Sequence, residues 1–118
     1  MANPNDFHKK VGTSISKATA RAWVNRYKNN PKRQKDLNSE FFGKDQIMQL
    51  LNHPDAIGIR IYNAENEKGE HRFVILSVSE GGHSILPAAE ESTTEAATIL
   101  EDGRPCPPIC NTGSGAEI

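Results

Sequence analysis

The chain has 118 residues, 36% of them hydrophobic and 25% charged, with a net charge of −1. That length suits one domain that buries its core without metal or disulfide support. No apolar run approaches the roughly 18 residues that span a bilayer, and the opening Met-Ala-Asn-Pro-Asn-Asp carries no apolar secretory region, so the expected setting is the cytoplasm, with no membrane partner.

Residues 1–13 hold Pro4, Gly12 and many polar groups and read as a flexible lead-in. Ser14 or Ser16 then caps a helix. From Ile15 to Lys28 the residues Ile15, Thr19, Ala22, Trp23, Arg26 and Tyr27 recur at helical spacing. Pro31 ends this helix, because it disfavours helical backbone in the residue before it. Residues 32–40 are a polar, basic connector. A second helix runs from about Lys44 to Asn52, with Ile47, Leu50 and Leu51 on one face and Phe41 and Phe42 packing at its entry.

The period then changes to two. Ile57, Ile59 and Ile61 alternate with Gly58, Arg60 and Tyr62, the pattern of a half-buried strand. Asn63 to Glu70 reads as a hairpin turn around Lys68-Gly69. His71 to Ser79 is apolar on both faces, which predicts a central strand. Glu80-Gly81-Gly82 turns the chain into a short third strand, Ser84 to Leu86, before Pro87. Residues 88–98 suit a short helix or no regular structure, and 101–118 are rich in Pro and Gly.

The expected fold is therefore α+β: two N-terminal helices packed on one face of a small three-stranded antiparallel sheet. Residues 14–87 form the domain, and 88–118 are a C-terminal extension that is largely irregular. Trp23 and Tyr27 are expected to bury against Ile57, Ile59, Ile61, Phe73 or Ile75. Phe73 and Ile75 lie under the helices, which leaves Val74, Leu76 and Val78, with Tyr62 beside them, on the opposite face. A contiguous apolar patch of that kind marks an interface, and a homodimer formed by two-fold pairing of sheets would cover it.

Charge is unevenly spread. Residues 1–53 hold ten Lys/Arg against four Asp/Glu, and residues 54–118 hold four against eleven. The basic stretch contains Arg21, Arg26, Lys28, Lys32, Arg33 and Lys35, with Trp23 and Tyr27 between them. Such residues neutralise phosphates while aromatics stack bases. Against that stands the placement of both aromatics on the core face.

Cys106-Pro107-Pro108-Ile109-Cys110 admits three readings. As an extended Pro-Pro segment it holds the two Cα atoms about 12 Å apart, whereas a disulfide needs roughly 4.4–6.8 Å and hence a tight turn. As ligands, Cys106 and Cys110 are half of a tetrahedral zinc site, with no His at a complementary spacing. As free thiols they need no partner, which suits a reducing compartment. Asn63, Glu65 and Glu67 resemble the start of a calcium loop, but Lys68 stands where the turn requires Gly. No cofactor loop or catalytic set is present in the sequence, so no cofactor is expected.

Ala20-Arg21-Ala22-Trp23-Val24, Gly58-Ile59-Arg60-Ile61-Tyr62 and Pro105-Cys106-Pro107-Pro108-Ile109-Cys110 together resemble a family of small, uncharacterised bacterial proteins. The resemblance implies a bacterial origin and carries no activity. The functional expectation is a non-enzymatic interaction or accessory module. Nucleic-acid binding through the first helix and connector, and metal or redox chemistry at the cysteines, stand as alternatives.

Overall fold

The helix expected after Ser16 begins at Lys17 in the computed structural model, which describes residues 3–90 and 98–109. Ser16 Oγ accepts the Thr19 amide at 3.0 Å and so satisfies one of the free donors of the first turn. This helix, α1, runs Lys17–Lys28. Asn30 caps the turn that follows by accepting the Lys32 amide at 3.0 Å. The connector then forms a strand, β1 (Ser39–Phe41), and leads into α2 (Lys44–Leu51). Phe42 packs at the entry as expected, but Phe41 is exposed.

The alternating segments form β2 (Ala56–Glu65) and β3 (His71–Ser79), joined by a tight turn closed by Asn66, whose amide donates to the Glu70 carbonyl at 3.1 Å. Next come β4 (His83–Ser84), β5 (Ile99–Leu100) and β6 (Arg104–Cys106). The main sheet is antiparallel and has four strands rather than three, because β5 adds to it. β3 is central. β2 lies along one side of it; β4 pairs at Val78 and Ser79, and β5 at Ile75 and Leu76, on the other. A second, two-stranded ribbon pairs β1 with β6. Local periodicity misses both additions, since each joins segments far apart in sequence. The expectations for residues 91–97 and 110–118 lie outside the described residues.

Directly opposed residues of an antiparallel pair share a face. The register Ile61–Ile75, Asn63–Phe73 and Ile59–Ser77 therefore defines one face, and Tyr62–Val74, Arg60–Leu76 and Gly58–Val78 the other. α2 packs on the first face. Leu50 is 1% exposed, and its carbonyl accepts the Ser77 hydroxyl at 2.8 Å, so the one buried polar side chain of the core is satisfied.

Two expectations fail here. α1 buries no residue, and Trp23 is 56% exposed. Four cations and no acid on this helix favour water over close packing, so it stands off the sheet across a cleft. The second face is also not an open apolar patch, because Leu76 and Val78 are buried within the single chain. The lead-in supplies part of the cover. Phe7 lies so close to Gly82 that a Cβ there would come within 2.8 Å of the ring, and Arg60 sits over the same ring at 5.7 Å. Tyr62 bridges β2 to β4: hydrogen bonds from Ser84 and Arg60 to its hydroxyl lower its pKa. Val74 is half-buried and Tyr62 is partly exposed. The face-to-face dimer expected from Tyr62, Val74, Leu76 and Val78 thus loses its physical basis.

Candidate nucleic-acid interface

The space between α1 and the sheet is a cleft of about 730 Å³. Trp23, Val24, Tyr27 and Lys28 of α1 form one wall. Arg33, Asp36, Leu37 and Asn38 of the connector form a second, and Asn63, His71 and Phe73 of the hairpin form the floor. Helical geometry explains the first wall. At about 100° per residue, Trp23 and Tyr27 lie about 40° apart, and Arg21 and Lys28 about 20° apart along one rim. Arg26 flanks Trp23 on the opposite rim.

Hydrogen bonds hold the connector in place. The Tyr27 hydroxyl donates to Asp36, and this bond, burial and the Asp36 charge raise the Tyr27 pKa, keeping the phenol protonated. Arg33 stacks over the Tyr27 ring at 5.4 Å and lies 3.8 Å from Asp36. The Leu37 amide donates to His71 Nδ1 at 3.0 Å. His71 Nε2 lies 2.9 Å from Asn63 Oδ1, and the His71 ring packs against Phe73 at 5.0 Å.

Of the basic residues singled out in the sequence, Lys28 and Arg33 line the cleft, while Arg21 and Arg26 border it on α1. Lys32 and Lys35 are exposed on the connector and do not line it. Sequence reasoning missed Asn63 and His71 as site residues. The one available signal was their positions two residues out of register at the end of a hairpin, and that depends on the turn being placed correctly.

A buried ion pair anchors the ribbon beneath this region. Glu40 has no solvent-accessible side-chain surface; its Oε2 accepts Arg72 Nη2 at 2.6 Å and its Oε1 accepts the Phe73 amide at 3.0 Å. Burial pushes the Glu40 carboxyl up. The Arg72 hydrogen bonds, the Phe73 amide, the Arg72 charge and the Gly103 amide together outweigh burial and hold its pKa below the ordinary value.

Cys106 is 5% exposed and disulfide-bonded, so the expectation of free thiols does not hold. The Cys106–Pro107 and Pro107–Pro108 bonds are cis, and the Ile109 amide donates to the Pro105 carbonyl at 2.7 Å, giving a tight turn in place of the extended segment. Cys110, the other cysteine of the chain, lies outside the described residues. Among the described residues no three His, Cys, Asp or Glu side chains gather as metal ligands would.

No family model, curated protein or solved structure matches this chain.

Proposed function

We propose that the chain is a non-enzymatic binding module whose ligand is single-stranded nucleic acid. The observation that carries this reading is Trp23, left 56% exposed on the wall of a cleft that also presents Lys28 and Arg33. A large aromatic is seldom left in water without a role, and buried packing was the main argument against base stacking. A base stacked on Trp23 places its phosphate near the cations of the rim. Stacking of this kind contributes about 1–3 kcal/mol per base. Asp36 is the one acid in the lining, and Tyr27 and Arg33 already engage it.

Trp23 is the only tryptophan, so its fluorescence reads the site directly. Titration with oligothymidylate should quench it. Affinity should fall with salt at a slope of about −0.7 per phosphate neutralised, or about −2 for three cations. Trp23→Ala should lose about ten-fold or more in affinity for a labelled oligonucleotide, while stability changes by less than about 1 kcal/mol, as for an exposed side chain. Unchanged fluorescence together with unchanged anisotropy of the labelled strand would refute the reading.

A further inference from the structure

We infer that the cleft prefers bases carrying a carbonyl where others carry an amino group, and that Asn63 sets this preference. The inference rests on the nucleic-acid reading above and adds the chemistry of the base.

A chain of hydrogen bonds fixes the orientation of one amide. The Leu37 amide can only donate, so His71 Nδ1, which accepts it at 3.0 Å, carries no proton. The ring proton of the neutral imidazole is therefore on Nε2. Nε2 then needs an acceptor, and Asn63 Oδ1 provides it at 2.9 Å. With its oxygen engaged, Asn63 has only the donor end of its amide, Nδ2, left to offer. Nδ2 makes no hydrogen bond among the described residues, and Asn63 belongs to the lining of the cleft.

The remaining polar groups point the same way. Lys28 and Arg33 are donors, and the carboxylate of Asp36 is occupied by Tyr27 and Arg33. Asn38, the other amide of the lining, has no partner on its side chain and can turn either end to a ligand, so it does not discriminate. The cleft thus presents fixed donors without a fixed free acceptor. Thymine offers O4 as an acceptor where cytosine offers an N4 amino group. A donor facing that amino group stays unpaired, and an unpaired polar group costs more than the bond itself returns. A free asparagine reads adenine through both ends of its amide; Asn63 lacks the acceptor end for this.

Thymidylate and deoxycytidylate homopolymers of about a dozen nucleotides isolate this difference, because both are flexible pyrimidine strands. Trp23 fluorescence should report binding of thymidylate about three- to ten-fold tighter at neutral pH. Asn63→Asp keeps an acceptor for His71 Nε2 and replaces the donor by oxygen, so the ratio should fall to unity or invert. Asn63→Ala should bring the ratio to unity and serves as the second variant if Asn63→Asp fails to fold. Equal binding of the two polymers by the wild-type protein, or a preference that survives in either folded variant, would overturn the inference and leave the nucleic-acid reading standing. Failure of both polymers to bind would overturn that reading and this inference with it.

Discussion

Removing the Glu40 carboxylate should cost the fold about 3–5 kcal/mol. The magnitude follows from what the carboxylate leaves behind. Glu40 and Arg72 have 0% and 17% of their side chains accessible, so neither charge can return to water without moving the ribbon. Glu40→Ala strands the Arg72 guanidinium and also removes the acceptor of the Phe73 amide. A domain of this size is stable by about 5–15 kcal/mol in all, so the loss is a large share. Glu40→Gln keeps an oxygen for Phe73 and loses the charge, and should cost about 1.5–3 kcal/mol. The pH dependence has a definite sign. The folded-state pKa of Glu40 is depressed, so its contribution is complete above the unfolded value near 4.5 and is lost as pH falls through the lower folded value. Urea unfolding followed by far-ultraviolet circular dichroism is the assay, because exposed Trp23 reports poorly on the core. The wild-type midpoint should drop in acid, and the Glu40→Gln midpoint should drop less. An Ala variant that loses under about 1 kcal/mol, or equal acid slopes for wild type and Gln, would refute the reasoning.

Gly103→Ala should destabilise by about 1–3 kcal/mol, because a Cβ there would lie 2.6 Å from the Phe41 carbonyl oxygen and 2.7 Å from Glu40 Cγ; thermal melting checks it. Thiol titration of protein purified without reductant should find no free thiol, and two after reduction. Reduction should lower stability by about 2 kcal/mol, the low end for disulfides, since the two cysteines are four apart in sequence.

Where structure follows local pattern, the sequence was readable. The Ser16 cap, the Pro31 stop, the alternating isoleucines of β2 and the central β3 all depend on neighbours within a few residues. Helical spacing also put Trp23 and Tyr27 on one face. It does not say whether that face meets a partner, and the four cations of α1 decided against one. Burial of Leu76 and Val78 was unreadable for a different reason. Their cover comes from Phe7, Arg60 and Tyr62, assembled across the turn at Gly82. The candidate site was legible as a basic, aromatic stretch. Its floor was not, because Asn63 and His71 reach it only once the hairpin and the connector have closed on each other.

The far side of β3 is closed by patchwork. Along one edge it meets β4 at Val78 and Ser79, β5 at Ile75 and Leu76, and a carboxylate in place of a strand at Phe73. The first patch returns after a three-residue turn; the second arrives from twenty-odd residues downstream and the third from thirty-three residues upstream. Loop-closure entropy rises with that separation, and distant pairings form late. The edge therefore closes like a seam, from Ser79 back toward Phe73. Until the last stitch is in, one end of the central strand keeps its amides free, and the hairpin end that carries Asn63 and His71 is the last part of the sheet to become fixed.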